Sequence, residues 1–341
     1  MHSDKRQFPF KGVVIVADLI SDEDTTPIHF RRDLEQTDPE TLNELSDTIK
    51  GLGLTVQHYN HPRLLAENAP QHRNDIVLSI FGGRVSRNRM ALVPAVCESM
   101  GLSYIGPDTY GRIICQDKEV SKAIAGEAGL KTALHRILRE PNDVSKLAEF
   151  PLPYVVKPLL EGSSIGIGPE NLVKDHSFGR NLASELLKRF QQPIMVEAFI
   201  PGREVSYCFI DGPEKTAYRS LAESVWLEKA DHFDNHLFDS FHKSHVESAQ
   251  TVHGINHELL PQTSEAMERL LDFLAPMGYG RIDGKLTGND FTFLEITPDA
   301  WLGSSGVFMN SFKLLGRSPS EIMAQILLSE RSNHRYQSTN G

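Results

Sequence analysis

Two lysines and two sets of acidic residues are the side chains of this sequence best suited to chemistry. Lys157 ends the apolar run Leu152-Pro-Tyr-Val-Val-Lys-Pro158 and is followed at once by Leu159-Leu-Glu-Gly-Ser-Ser-Ile-Gly-Ile-Gly168. The small residues of that loop, Ser163 and Ser164 among them, let backbone N–H groups converge on an anion while the lysine supplies charge, an arrangement that holds phosphate oxygens. Lys118, in Cys115-Gln-Asp-Lys118, opens a helical segment. Taken singly, a lysine reads first as a solvated surface residue and a glycine-rich loop as an ordinary turn.

Arg281-Ile-Asp283 falls on one expected strand and Leu294-Glu295-Ile296-Thr297 on the next. Residues i and i+2 share a strand face, which puts Arg281 beside Asp283 and Glu295 directly across the sheet. Carboxylates that close need a counter-cation, and oxygen ligands favour Mg²⁺ shared with substrate phosphates; an exposed ion pair with Arg281 is the plain alternative. In Pro193-Ile-Met-Val-Glu-Ala-Phe-Ile-Pro-Gly-Arg-Glu204, Glu197 ends one strand and Glu204 begins another. Such a crossing can offer backbone groups to a purine edge and a carboxylate to ribose hydroxyls; alone, it is equally a connection with exposed glutamates.

The elements that must position these residues alternate. Strands are expected at 11–17, 55–59, 75–81 and 103–105, with helices at 38–52 and 90–100 between them, giving an open, mostly parallel α/β domain. A helical pattern follows at 116–129, then short strands at 154–157, 193–200, 204–210 and 216–220 around a helix at 175–189. The segment 221–252, rich in histidine and aromatics, reads as an irregular site-covering loop. A helix at 263–277, paired strands at 279–286 and 291–296, and a helix at 318–329 complete the pattern. His232, His236, His242 and His245 have two short spacings but no HExxH motif or cysteine partner, which argues against a transition-metal site.

At 341 residues with 40% hydrophobic and 23% charged side chains, the chain is globular and long enough for two or three domains. Its net charge of −10 excludes a general nucleic-acid or anionic-membrane surface, so any polyanion needs a local cationic site. Cys97, Cys115 and Cys208 match neither zinc spacing nor a disulfide framework, and no apolar run reaches membrane-spanning length, so the cytoplasm is the expected location.

In order and spacing these pieces together resemble the ATP-grasp superfamily, and within it the D-alanine:D-alanine ligase family of carboxylate–amine ligases. The resemblance covers residues 75–328 and is strongest in Tyr104-Ile-Gly106, Asp117-Lys118, the 155–166 segment, Val196 to Glu204, Phe238-Asp-Ser-Phe-His-Lys243, Arg281-Ile-Asp283 and Leu294-Glu295. It implies an α/β ATP-grasp fold of three domains: an N-terminal open parallel α/β domain (1–115), a central α+β lid domain (116–205) and a C-terminal α+β domain (206–330), with a mobile tail at 331–341. By position it implies that Lys118, Lys157 and Lys243 contact ATP phosphates and that Ser163 and Ser164 close over them. Glu197, Ala198, Phe199 and Ile200 would hold adenine and Glu204 the ribose. Asp283 and Glu295 would bind Mg²⁺ (or Mn²⁺), with Arg281 stabilising the charge that develops in transfer. The implied reaction passes through an acyl phosphate to an amide, releasing ADP and phosphate, on small-molecule carboxylate and amine substrates; a homodimer is also implied.

Departures from the family lie around the substrates. Thr297 stands where a second metal-ligating asparagine is usual, with Asp299 as another oxygen donor nearby. Val16-Ala-Asp-Leu-Ile-Ser21 replaces the glycine-serine-glutamate segment, and Gly82-Gly-Arg-Val-Ser-Arg-Asn-Arg89 replaces an acidic loop. These changes point away from cell-wall D-alanine ligation and toward a small-metabolite or natural-product pathway. Arg84 and Arg87 can be read as a carboxylate-binding loop or as a solvated turn. Trp301, Ser304 and Ser305 fall in the loop for the amine substrate; Trp301 is otherwise a packing residue. Two rivals remain open: an intramolecular cyclising ligase, and a non-catalytic nucleotide-binding protein.

Overall fold

The computed structural model describes residues 8–20, 26–27, 30–83, 86–212, 218–229, 231–244 and 249–329. Three sheets organise the chain. The first, in the order β2-β1-β3-β4, is wholly parallel: β1 (Gly12–Val16), β2 (Thr55–Tyr59), β3 (Asp75–Ser79) and β4 (Ser103–Ile105). β1 is buried throughout, as a β-branched strand covered on both faces must be. Between β1 and β2 runs α1 (Pro39–Gly51), whose N-cap Asp38 accepts from the Thr41 N–H at 2.7 Å, with Pro39 in the first turn. After α2 (Pro62–Asn68), α3 (Leu92–Met100) ends at Gly101, left-handed at φ 67°.

The helix expected over 116–129 is α5 (Lys118–Glu127), and a further helix, α4 (Thr109–Gln116), which the sequence pattern did not reveal, runs into it. Asp117 parts them: its backbone is extended and its carboxylate caps the N–H groups of Glu119 and Val120 at 3.0 and 3.2 Å. The second sheet, β6-β9-β7-β8, is antiparallel and comprises β6 (His135–Leu138), β7 (Tyr154–Pro158), β8 (Leu172–Val173) and β9 (Ile194–Ala198), packed on α6 (His176–Phe190).

The third sheet has six strands, β12-β11-β10-β13-β14-β5. These are β5 (Lys131–Thr132), β10 (Arg203–Ile210), β11 (Tyr218–Trp226), β12 (Gln250–Gly254), β13 (Tyr279–Thr287) and β14 (Asp290–Thr297). Here the reading of 221–252 as irregular is corrected. Residues 221–226 continue β11 inside the sheet, and 250–254 form β12 beside it. β11 buries Ser220, Glu223 and Ser224 along with its apolar residues, so it lacks the alternation by which a half-buried strand is recognised. What remains as loop is 227–249, including the short helix α7 (Ser240–Ser244), with residues 230 and 245–248 outside the described set. Helix α8 (Pro261–Leu274) stops earlier than the expected 277, because Ala275 precedes Pro276 and is pushed out of helical geometry. Helices α9 (Val307–Lys313), which the sequence pattern did not reveal, and α10 (Pro319–Leu328) close the fold. The tail at 331–341 lies outside the described residues.

One apolar core joins the first and third sheets: Val13, Ile15, Ile76 and Leu78 pack in the same cluster as Ile210, Tyr279, Phe308, Phe312 and Ile326. The central sheet has its own core around Tyr154, Val156, Leu186 and Phe190. No described helix is long and apolar enough to cross a membrane. The three thiols are buried and free, and burial pushes Cys97 and Cys208 up to about 12, which makes them inert. Truncating the fully buried Phe312 to alanine should cost about 3–5 kcal/mol. Urea unfolding followed by fluorescence and circular dichroism should show the loss in one transition shared by the N- and C-terminal sheets.

Candidate active site

The centre of the site is a buried charge cluster between β7, β9 and α5. Lys157, near the end of β7, places its Nζ 2.7 Å from Glu197 Oε2 on β9, and Lys122 of α5 reaches the other carboxylate oxygen of Glu197. The side chains are 9%, 3% and 0% exposed, so neither lysine could stay charged there without the glutamate. Burial alone would raise the Glu197 carboxyl, but the Lys122 and Lys157 ammoniums outweigh it and hold the group at about 2. Two lysines thus face one carboxylate: at Lys122 burial lowers the ammonium despite Glu197, whereas at Lys157 burial is outweighed by the pull of Glu197, which raises it. Lys118, one helical turn before Lys122, lies 3.5 Å from Glu295 Oε2 and donates to the Glu161 carbonyl oxygen.

Lys122 is missing from the sequence reading. The signal for it is its spacing: i and i+4 from Lys118 put both ammoniums on one face of α5. Glu197 is not an open adenine contact through its side chain, because both oxygens are taken by lysines; Ala198, Phe199 and Ile200 follow it, half-buried, at the strand end.

On the third sheet the register pairs Asp283 with Glu295 and Arg281 with Thr297. Arg281 Nε lies 3.2 Å from Asp283 Oδ2, the Ser206 hydroxyl donates to Asp283 Oδ1 at 2.6 Å, and the Thr297 hydroxyl donates to Oδ2 at 3.4 Å. An all-oxygen set of two carboxylates flanked by hydroxyls, beside cations aimed at the same region, fits Mg²⁺. Asp299 is turned to other work: it is buried against Arg112 of α4, and burial raises its carboxyl despite that partner. Next along β10, Glu204 Oε1 is 2.8 Å from Lys285 Nζ, which also donates to the Gly202 and Phe233 carbonyls at 3.1 and 3.0 Å. Lys285, also unforeseen, shares the Asp283 face of β13 at i+2.

The glycine-serine loop turns through Ser163 and Ser164, both left-handed at φ 49° and 56°. Two consecutive non-glycine residues in that region are costly and need outside support. The Ser164 hydroxyl donates to the Phe238 carbonyl at 2.9 Å, and the Ser240 N–H donates to the Ile167 carbonyl at 3.2 Å. The two expected lids therefore bond to each other at the start of α7, the helix that carries Lys243, whose side chain lies outside the described set. A wedge of His232, His236, His242 and Trp226 supports α7. His242 is 2.7 Å from Asp239 and 2.8 Å from His232, and burial, followed by its histidine neighbours, lowers the His232 imidazole. His245 lies outside the described residues.

The substrate-loop candidates separate. Arg84 lies outside the described residues, Arg87 is exposed, and Arg89 is buried. Asp18, in the altered N-terminal segment, accepts from the Gly82 and Gly83 N–H groups at 2.8 and 3.0 Å and from the Gln36 amide at 2.8 Å. Trp301, Ser304 and Ser305 line a cleft of about 400 Å³ with Asp38, Glu40 and Glu44 of the α1 start. Ser304 donates to Glu44 at 3.2 Å, while the Trp301 ring lies over Gly303 and Gly306, so it packs its own loop and presents an edge to the cleft.

A family model described as D-ala D-ala ligase C-terminus matches residues 127–328. A D-alanine–D-alanine ligase of Citrifermentans bemidjiense is 32% identical over 206 residues, 59% of this chain and 61% of that protein, so the match spans about three-fifths of that relative. One from Syntrophobacter fumaroxidans is 26% identical over 271 residues, 76% of this chain and 81% of that protein. Among solved structures, the D-alanine–D-alanine ligase of Bacillus anthracis superposes with a TM-score of 0.69 at 18% identity, covering 94% of this chain and 97% of that one. The VanG D-Ala:D-Ser ligase of Enterococcus faecalis gives 0.65 at 16%, over 94% and 99%. At these identities the structural likeness establishes the fold.

Replacing Glu197 by glutamine should cost about 3–5 kcal/mol at neutral pH, because two buried ammoniums lose their counter-charge. The carboxyl sits at about 2 against an ordinary 4.5, so its stabilisation is complete above pH 4.5 and is lost as pH falls toward 2. Urea titrations of both proteins should therefore show the gap between them narrowing on acidification.

Proposed function

We propose, from the premise that this chain belongs to the D-alanine–D-alanine ligase family and is an ATP-grasp ligase that uses ATP and Mg²⁺ to form a carbon–nitrogen bond, that it joins a small carboxylic acid to an amine through an acyl phosphate. The observation that carries this reading is the convergence of Lys118, Lys157 and the Asp283–Glu295 pair: Lys118 is within 3.5 Å of Glu295, and Lys157 is anchored beside it through Glu197.

In the first step an oxygen of the substrate carboxylate attacks the γ-phosphorus of ATP, the bond to the β–γ bridging oxygen breaks, and ADP leaves. In the second, the amine attacks the acyl carbon, loses a proton, and expels phosphate to leave an amide. Most of this chemistry is positioning and charge neutralisation. Lys118 and Lys157 hold phosphate oxygens, and Lys157 does so with little reorganisation, since Glu197 fixes its head. Asp283 and Glu295 would hold Mg²⁺, with the Thr297 and Ser206 hydroxyls bonded to Asp283; the ion supplies charge neutralisation at the phosphates when bound. Arg281, aligned by Asp283, faces the charge that builds on the transferred group. Glu204, oriented by Lys285, is the ribose acceptor, and the resemblance adds Lys243, on α7, as a further phosphate ligand. The 159–168 loop, bonded to residues 238–240, excludes water from the acyl phosphate.

The substrates are small amino acids or related acids. The relatives named for D-alanine ligation make D-alanine the first acid and amine to try. The Asp18-tied glycines, exposed Arg87 and the acidic cleft at Trp301 are this chain's own substrate walls, and their difference from the family's supports a role in small-metabolite synthesis.

An ADP-release screen over acid and amine pairs, with mass spectrometry of products, should yield one amide per ATP. Asp283→Asn and Glu295→Gln should each lower Mg²⁺-dependent phosphate release by about a hundredfold or more; unchanged release would remove the metal assignment. Lys157→Met should chiefly raise the KM for ATP.

A further inference from the structure

The chain before α1 reaches out of the N-terminal sheet and fastens to the central one. Phe30 and Leu34 pack on the central core, the Arg189 guanidinium lies 3.7 Å from the centre of the Phe30 ring, and Arg32 donates to the Arg189 carbonyl at 2.8 Å. At the end of this strap Glu35 enters the glycine-serine loop, where its Oε1 accepts the Gly162 N–H at 2.6 Å. Its other oxygen pairs with Arg89. Arg89 is also 3.1 Å from Glu161 Oε2 and donates to the Leu160 carbonyl at 3.1 Å. Gln192 completes the frame: its amide donates to Glu161 Oε1 and its carbonyl accepts the Leu160 N–H, both at 2.7 Å.

We propose that Glu35 and Arg89 are positioning residues that latch the tip of the 159–168 loop shut over the nucleotide phosphates, and so keep ATP consumption coupled to amide formation. This rests on the ligase reading above. Leu159 and Ile165, on either side of the tip, are buried, whereas residues 160–164 are half-buried and held by polar contacts. The Glu35, Arg89 and Glu161 side chains are only 12%, 6% and 11% exposed, and a guanidinium between two desolvated carboxylates holds its geometry only while all three are present. The position of the tip reaches the reaction centre through Glu161, whose carbonyl accepts from Lys118, itself 3.5 Å from Glu295. A Cβ at Gly162 would push the Glu35 carboxylate aside, so the glycine is what lets that carboxylate reach the loop backbone in this position. Arg89, which the sequence places in a basic loop, has internal carboxylates as its ligands.

Two variants test the latch: Glu35→Gln, which keeps shape and removes charge, and Arg89→Lys, which keeps charge and removes the fork. Both should raise the KM for ATP by about tenfold to a hundredfold and push ATP consumed per amide formed above one. Hydrogen exchange of the 159–168 amides, measured on the free protein, should quicken in step. A merely structural role would lower the yield of active enzyme and leave that ratio at one. Unchanged loop exchange and a ratio of one in Glu35→Gln would overturn the latch, and that variant decides if Arg89→Lys fails to fold. If the wild type forms no amide from any pair, the ligase reading fails on that result alone, and the exchange measurement still decides whether Glu35 holds the loop.

Discussion

A single glutamate inside the molecule makes its cationic centre possible. Glu197 lies between Lys122 and Lys157 in a place almost closed to water, and without it neither ammonium could be kept there charged. Because Glu197 fixes the Lys157 ammonium and keeps it charged, that cation is oriented before any anion arrives, and an enzyme handling a triphosphate has that much less to rearrange. Strand β9 supplies the glutamate and β7 the lysine; Val196 and Val156 beside them are buried in the central core, so the hydrophobic packing of that sheet and the charge geometry are set by the same strands.

Charge is matched locally throughout the site, which is how a chain of net charge −10 offers a cationic face. Glu204 is matched by Lys285, Asp283 by Arg281, and Glu35 and Glu161 by Arg89. At the Glu197 cluster two lysines face one carboxylate. The acidic excess is placed elsewhere, some of it at the cleft of Asp38, Glu40 and Glu44.

The cores divide the labour. The N-terminal and C-terminal sheets share one apolar cluster and behave as one platform, carrying the Asp283–Glu295 pair. The central sheet keeps a separate core, to which Phe30 and Leu34 of the N-terminal strap attach. Apart from that strap, the contacts named between the central sheet and the rest, Glu35 to Gly162 and Arg89 to Glu161, are polar, and polar contacts between separate cores are adjustable, which suits a lid.

The sequence by itself determined the strands and turns that carry the chemistry. Period-two alternation placed Arg281 and Asp283 on one face; the short turn at Gly288-Asn289 fixes the register only as far as Gly284 and Phe293, and a bulge at Leu294, which the sequence did not reveal, is what moves Glu295 opposite Asp283. The lysine-plus-loop segment at 157–168 was equally plain, since local composition signals it. Other features depended on parts of the chain that meet only after folding. Lys122 meets Glu197, Arg89 meets Glu35 at a separation of 54 residues, and Glu35 meets Gly162 at 127. Periodicity tells which way a side chain faces and not what faces it. For the same reason the second half of β11, from Leu221, passed for a loop: buried Glu223 and Ser224 look polar in sequence, and only their partners in the sheet, such as Arg203 for Glu223, make them part of a strand. The tertiary structure decided those pairings, because a buried charge is stable only where its counter-charge is delivered from another element.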